Sequence, residues 1–468
     1  MNTSVIAETE LNKKACVVTF GCQQNEADSE KIKGVLVSMG YSLTSEEFLG
    51  ECSVIVVNTC AIREHAELKA FSRTGQLKHY KQTNKDLIIG ICGCMVEQEH
   101  RAEHIKRSFP YVDFLFGTHS LHKFSEILKN ALKSRKRQFV REPEISDVKE
   151  KIKAVEDLPI YRENKFKANV SVMYGCNNFC SYCVVPYVRG RERSREKENI
   201  LAEVRELVAG GYKDITLLGQ NVNSYKPYDN TGYDFTNLLK DITAIEGDYL
   251  VRFITSHPKD VPDELIKLMG SSDKLANHFH LPIQSGSNKI LRLMNRGYTK
   301  EYYLELVDKL RSSVRDIAIT TDIIVGFPTE TDGDFEDTMN IIETVGFDNI
   351  FPFIYSRRKN TPAAEMADDN ISKEVKNIRF DRLIKTQNAI SLKKNKEYEG
   401  KIVRVLVESR YKYDDNVGRG DPDAPLNISK MAGRTSTHKL VLFDGNDMQI
   451  GTFVDVKIKE GRLAFLEG

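Results

Sequence analysis

The sequence predicts an α/β protein in three parts: a small doubly wound N-terminal domain, a central partial (β/α)6 barrel and a small C-terminal antiparallel β-barrel. Three observations carry this. At 468 residues the chain exceeds the size at which one hydrophobic core keeps growing, so it divides. From residue 15 to about 130, and again from about 165 to 356, short β-branched runs alternate with amphipathic stretches of helical length, as in parallel sheets covered by helices. From residue 398 onward only short strand-like runs remain, separated by turn residues.

In the first part (14–135), ACVVTF (15–20), CSVIVVNTC (52–60) and LIIGICGC (87–94) read as buried parallel strands. Helix-like SEKIKGVLVSMG (29–40), closed by Gly40, lies between the first two. Each strand runs into a cysteine: Cys22, Cys60 and Cys94. The carboxyl ends of parallel strands are where such sheets bind ligands. The charged stretch within 120–160, including KSRKRQFVREPEISDVKEKIK, reads as a linker.

The second part (160–395) contains six strand candidates: FKANVSVMYG, DITLLGQNV, LVRFITSHP, HFHLPIQSGS, DIAITTDIIVGFP and IFPFIYS. Helical stretches separate most of them, which gives a partial β/α barrel with its working face at the strands' carboxyl ends. A lysine-rich helix (373–396) leads to the third part (398–465), where KIVRVLVES, HKLVLFDG and GTFVDVKIKEGRLAFLE read as short strands.

A net charge of +1 neither requires nor excludes a polyanionic partner, which a local patch can serve. MNTSVIAETELNKK has no apolar signal core, and no stretch approaches 18 apolar residues, so no membrane partner and a cytoplasmic location are expected. Nine cysteines in such a chain favour metal or catalytic use over a disulfide framework.

The densest signal is MYGCNNFCSYCVVPYVRGRERSR (173–195), with Cys176, Cys180 and Cys183 in the loop after the first barrel strand. Gly175, Asn177, Asn178 and Ser181 make this a polar loop, unsuited to a packed core. Three soft thiolates favour an iron–sulfur cluster, and a cubane held by three thiolates keeps one iron open. Cys92 alternates with Cys94 and shares its face, but a mid-strand thiol, like Cys16 or the strand-start Cys52, is more often a small buried hydrophobe.

C-x3-C-x2-C with Tyr182 before the last cysteine resembles the radical S-adenosylmethionine (SAM) superfamily. The chain from about 14 to 465 is similar to its MiaB-type tRNA methylthiotransferases through TFGCQQNEADSE, NTCAIREHAE, ICGCM, LLGQNVNSY, SHP, LPIQSGS, LMNRGYT and TDIIVGFPTET. The resemblance implies two 4Fe–4S clusters. One, on Cys176, Cys180 and Cys183, would bind SAM and cleave it to a 5′-deoxyadenosyl radical. The other, auxiliary, would sit on Cys22, Cys60 and Cys94 and deliver a methylthio group. The implied reaction replaces the C2 hydrogen of N6-isopentenyladenosine at tRNA position 37. N6-threonylcarbamoyladenosine is the alternative substrate, and a non-catalytic iron–sulfur RNA-binding protein is a remoter alternative. TFGCQQN has Gln where Met is commoner in the family.

By matching position, Tyr182, Gly219, Gln220, Asn221, Ser256, Gln284, Ser285, Asp322 and Gly326 are the expected SAM-binding residues, with His257 a candidate acid–base group. Gln23 and Asn25 are placed to meet the target base. Arg189, Arg191, Arg193 and Arg195 alternate, so in an extended segment they would share a face toward phosphates. The C-terminal part resembles the TRAM RNA-binding module, with Arg434, His438, Lys439, Tyr411 and Tyr413 as candidate contacts. The expected partners are a tRNA anticodon stem-loop, an electron donor of flavodoxin or ferredoxin type and an iron–sulfur or sulfur carrier. A monomer is expected.

Overall fold

A computed structural model describes residues 13–62, 64–142, 154–228, 232–366, 371–411 and 430–468. The chain forms two compact units. One comprises Met1–Glu163, Met173–Phe179 and Cys183–Arg195; the other comprises Asn164–Val172, Cys180–Tyr182 and Glu196–Gly468.

The first unit is built on six strands: β1 (Lys14–Thr19), β2 (Ser42–Leu43), β3 (Cys52–Thr59), β4 (Ile88–Gly93), β5 (Phe114–Phe116) and β6 (Gln138–Val140). They are parallel and ordered β2-β1-β3-β4-β5-β6. Register runs Val18 beside Val57 beside Ile91. Because side chains alternate, each apolar run feeds two cores. Ala15, Val54, Val56, Ile88 and Phe114 pack with Ile32, Leu36 and Phe124 on one face. Val18, Ile55, Val57, Ile89 and Ile91 pack with Leu77 and Ile105 on the other.

β6 adds a strand inside the stretch expected to be a linker, and a helix at Phe124–Ser134 precedes it. Three residues among charges carry no periodic signal, and an edge strand needs only one partner. The rest of the expected linker, 143–153, lies outside the described residues. A two-stranded antiparallel pair, β8 (Met173–Tyr174) with β9 (Arg193–Ser194), completes the unit.

In the second unit the six expected barrel strands are present. β7 (Lys167–Ser171), β10 (Asp214–Leu218) and β11 (Leu250–Phe253) form one parallel sheet. β12 (His278–His280), β13 (Ala318–Val325) and β14 (Asn349–Ile354) form another. The Val251 amide donates to the Lys274 carbonyl at 2.7 Å, and the Ala276 amide donates back to Val251 at 3.0 Å, which links β11 to the segment before β12.

The C-terminal sheet has the order β18-β15-β16-β17-β20-β19, from β15 (Ile402–Arg410), β16 (Met431–Thr435), β17 (Leu440–Phe443), β18 (Phe453–Lys457), β19 (Glu460–Gly461) and β20 (Leu466–Glu467). It curls as a half-barrel and is antiparallel except between β17 and β20. It docks at the amino-terminal ends of the barrel strands. The buried Arg252 guanidinium bridges Asp214 (2.8 Å) to the Thr435 and Ser436 carbonyls (2.8 and 3.0 Å). Lys439 pairs with Asp348 at 3.1 Å, and His438 stacks on His278. The helix Lys373–Lys396 ties both parts through buried polar side chains: Gln387 donates to Phe347 O, Ser391 to Asp348 O and Asn395 to Arg462 O. This end is taken up by polar docking, and the strands' opposite, carboxyl ends are where such folds place a site. Among the described residues no helix is long and apolar enough to cross a membrane.

Candidate active site

Cys22, Cys60 and Cys94 follow β1, β3 and β4, three adjacent strands, at their carboxyl ends. The sheet reverses its direction of growth between β1 and β3, the position where open α/β sheets hold ligands. The thiols are within electrostatic reach of one another. Burial pushes the Cys94 thiol up to about 12, Arg189 opposes this, and Cys60 and Cys22 raise it further. Cys60 and Cys94 are buried; Cys22 is partly exposed.

Backbone and side chains fix this arrangement. Gly93, at φ 96 and ψ −164, turns β4 directly into Cys94. Asn25 donates to Asn58 Oδ1 and Thr59 O (3.2 and 3.1 Å), Asn58 donates to Asn25 O and Ser29 Oγ (both 2.9 Å), and Thr59 Oγ1 donates to Cys92 O (2.6 Å). The ends of β1, β3 and β4 and the start of the helix Gln23–Ser38 are thereby pinned together. Asn25 is fully buried in this clamp, which corrects its expected role as a base contact: its amide is spent on the fold. Gln23, at the first turn, is exposed. Cys92 sits in one apolar core and Cys16 and Cys52 in the other, with burial pushing Cys16 up to about 12 and Cys52 to about 11.

The arginine series does not form an extended face. Arg189 ends a short helix, Val185–Arg189, and only Arg193–Ser194 is strand. Arg189 is buried against Asp28 at 3.0 Å and Arg195 against Glu156 at 2.8 Å. Arg193 donates to Arg189 O. Arg191 alone of the four is exposed, 4.5 Å from the Phe179 ring. Proline at the helix start and the glycine after Arg189 allow this local helix where alternation suggested a strand.

The second cysteine group lies in one loop. Gly175, at φ 73, is required there: a Cβ would stand 2.1 Å from Arg191 O. Cys176 N donates to Gly190 O at 3.1 Å, while Asn177 and Glu192 exchange amide hydrogen bonds. Backbone amides of Asn178 and Val185 point at Cys176 and Cys183 Sγ, each at 3.5 Å. Within the second unit, Ser181 is held by Met294 O and Leu293 O (3.0 and 2.8 Å), and Cys180 Sγ accepts from Arg296 Nη1 at 3.3 Å. Tyr182 packs against Ile290, Met294 and Phe327.

At the carboxyl ends of the barrel strands several buried polar atoms have no partner among the described residues: Asn221 Oδ1, Ser256 Oγ and His257 Nε2. Buried polar atoms are ordinarily satisfied, so these point to a ligand. Asn221 is oriented by Asp260 at 2.7 Å. Thr255 (φ 64) and Gln284 (φ 75) hold left-handed backbone, strain of about 1–3 kcal/mol each that is typical of binding sites.

Thr255 Oγ1 also donates to Gly219 O. Gln284 N and O bond Asp322 O and Ile324 N, both at 2.9 Å, so β13 fixes this turn. Ser285 is 1% exposed, with its hydroxyl beside Thr338 and accepting from Ser287 N; it anchors the turn. Asp322 lies 3.6 Å from His280, Gly326 N donates to Glu330, and Gln220 is partly exposed.

Burial first, then the charges of Arg296 and Lys259, lowers His257 to about 2. Such an imidazole stays neutral and is a weak proton acceptor. In the C-terminal sheet Arg434 is half-buried beside Glu408 (3.7 Å) and donates to His438 O, and Lys439 is committed to Asp348. Tyr411 packs in a small core; Tyr413 lies outside the described residues.

Among the described residues no three Cys, His, Asp or Glu are set closely enough for a single metal ion. A four-iron cluster spaces its thiolates more widely, and two all-thiolate groups, with no disulfide among the nine cysteines, fit soft iron–sulfur ligation. Sequence reasoning missed the residues around the thiols: Asn58, Asp28 and Arg296. Arg296 stands in LMNRGYT, next to a left-handed Asn295, and that motif was the available signal.

Residues 170–342 match the radical SAM superfamily, 14–117 the uncharacterized protein family UPF0004 and 396–468 the TRAM domain. The chain is 48% identical over 456 residues to a tRNA-2-methylthio-N(6)-dimethylallyladenosine synthase of Carboxydothermus hydrogenoformans, covering 97% of this chain and 99% of that one. It is 49% identical over 452 residues to a protein of the same name from Clostridium perfringens, covering 96% of each. In fold it is similar to the radical S-adenosylmethionine methyltransferase TsrM from Kitasatospora setae, solved with cobalamin and a 4Fe–4S cluster bound (TM-score 0.56, 13% identity, 75% of this chain and 74% of that one). It is also similar to the cobalamin-dependent S-adenosylmethionine radical enzyme OxsB (TM-score 0.51, 13% identity, 80% and 57%). With full-length relatives at this identity, a radical SAM segment and a C-terminal TRAM segment, the chain belongs to the tRNA-2-methylthio-N6-dimethylallyladenosine synthase family of radical SAM enzymes.

Proposed function

We propose that this chain replaces the C2 hydrogen of N6-isopentenyladenosine at position 37 of tRNA with a methylthio group. The observation that carries the reading is the pair of cysteine triplets, one after three adjacent strands of the first sheet and one in the loop after the first barrel strand. A radical SAM enzyme uses SAM and a 4Fe–4S cluster, and tRNA is the substrate class of the relatives. Beyond this, Cys176, Cys180 and Cys183 hold the SAM cluster and Cys22, Cys60 and Cys94 hold an auxiliary 4Fe–4S cluster.

When bound, these groups supply the radical that takes the C2 hydrogen and the sulfur that replaces it. The chain's own residues bind, orient and exclude water. Tyr182 packs onto Ile290, Met294 and Phe327. Asn221 and Ser256 meet SAM with the polar atoms the fold leaves unpartnered, and Gly219, Gln220, Gln284, Ser285, Asp322 and Gly326 line the same strand ends. Gln23 and exposed Arg191 contact the RNA, with Arg434 on the TRAM sheet.

The domains run 14–135, 160–395 and 398–465. The enzyme works in the cytoplasm as a monomer, served by a flavodoxin- or ferredoxin-type donor and a sulfur carrier, on the anticodon stem-loop.

The test is an iron and sulfide count of the reconstituted chain, with SAM cleavage and mass spectrometry of tRNA digests. C176A, C180A or C183A should abolish 5′-deoxyadenosine formation. C22A, C60A or C94A should leave it while stopping methylthiolation. Wild-type methylthiolation by C60A would overturn the assignment.

A further inference from the structure

Arg296 is 5% exposed, and each of its guanidinium nitrogens has one acceptor. Nε donates to Tyr298 Oη at 2.9 Å, Nη2 to Pro282 O at 2.7 Å and Nη1 to Cys180 Sγ at 3.3 Å. Among the described residues no carboxylate joins them. A cation taken out of water and left with neutral acceptors is costly, so such a group calls for an anion. The sulfur within reach is that of Cys180, which as a cluster ligand would carry that negative charge.

The first unit offers a contrast: Arg189, which sits near Cys94, is already offset by Asp28 at 3.0 Å. Among the described residues Arg296 has no such carboxylate, so its charge at Cys180 is not offset in that way. Adding an electron to an iron–sulfur cluster adds negative charge, and hydrogen bonds to ligand sulfurs favour that state.

We propose that Arg296 is a positioning residue for the SAM cluster: it orients the Cys180 thiolate and, by hydrogen bond and charge, makes the cluster easier to reduce. This rests on the reading that Cys176, Cys180 and Cys183 hold that cluster. The electron comes from an external low-potential one-electron donor; Arg296 neither gains nor loses a proton.

The test uses the full chain with C22A/C60A/C94A, reconstituted with iron and sulfide, so that one cluster remains. Iron is counted, and the reduced signal is followed by electron paramagnetic resonance against applied potential, without SAM. R296Q should hold the parent's iron while its reduced-to-oxidised ratio at the parent's midpoint falls about tenfold, equal to about 59 mV for one electron. R296K, which keeps the charge, should fall less. Loss of iron in R296Q but not in R296K also supports the proposal, since it isolates the positive charge at Cys180. An unchanged midpoint in R296Q, or loss of iron in both variants, overturns it. A parent without iron would instead overturn the cluster reading beneath it.

Discussion

Gly93→Ala tests how the first sheet presents its thiols. Gly93 lies at φ 96 and ψ −164, backbone that is essentially confined to glycine and costs another residue about 1–3 kcal/mol. A Cβ there would stand 2.4 Å from Thr59 O, 2.5 Å from Asn58 Oδ1 and 2.8 Å from Thr59 N. Two of these are backbone atoms of the neighbouring strand, so relief requires β3 and β4 to part, at a further cost of about 1–3 kcal/mol by analogy with overpacked cores. The sum, about 2–6 kcal/mol, should lower the urea midpoint by about 0.7–3 M at a slope of about 2–3 kcal/mol per M.

The comparison is Gly40→Ala, where φ is 88 but nothing lies within 4 Å of a Cβ, so only the conformational cost of about 1–2 kcal/mol applies. Because Gly93 leads directly into Cys94, G93A should also lose iron on reconstitution while G40A keeps it. If G93A matched G40A in both urea midpoint and iron, the close approach of the two strands would not be what sets the thiols.

Three further outcomes follow from buried charge. Asp28→Asn leaves Arg189 buried without its 3.0 Å partner and should cost the first unit about 3–5 kcal/mol in the absence of iron, read by urea unfolding; a loss under 1 kcal/mol, roughly the value of a surface pair, would contradict the burial argument. Arg252→Met removes three hydrogen bonds and strands Asp214, so limited proteolysis should release the C-terminal sheet faster than in wild type. His257, buried and lowered to about 2, stays neutral in the folded state while the unfolded imidazole protonates below about 6.5, so stability present above that pH is lost as pH falls toward 2. At pH 5 the loss is about 2 kcal/mol, and His257→Gln should flatten this decline in urea midpoints between pH 7 and 5; an unchanged decline would refute it.

The strands were legible because burial on both faces forces long β-branched runs. β3 and β4 could hardly be anything else, and the six barrel strands fall where their apolar runs predicted. β6 was not legible, since Gln138–Val140 borrows its structure from β5 and carries no pattern of its own. The cysteines were legible for a different reason: their position at strand ends follows from local sequence alone.

What surrounds them does not. Asn25 reads as an exposed polar residue in a polar motif, yet partners at Asn58 and Thr59, more than thirty positions away, bury it completely. The same holds for Arg189 and Arg195, whose alternation suggested a shared face. Their partners, Asp28 and Glu156, are distant in sequence, and a buried ion pair leaves no periodic trace.

This division has a physical origin that bears on function. Ligand atoms that grip a cofactor must come from residue types with the right softness and charge, which a sequence displays openly. The groups that tune those atoms act through desolvation and distance, and both are properties of the folded neighbourhood. Asp28 and Arg296 show the two settings of one device. A guanidinium beside a thiol is offset by a carboxylate at Arg189 and, among the described residues, by none at Arg296, so its charge is reduced at Cys94 and not at Cys180. Exchanging the settings follows as a design: with Arg189 relieved of Asp28 by D28N, the charge on Cys94 and Cys22 should rise. An auxiliary cluster on Cys22, Cys60 and Cys94 would then reduce more readily in D28N than in wild type, measured by the same potential titration. A fall in its midpoint, or none, would mean that charge offset is not what separates the two sites.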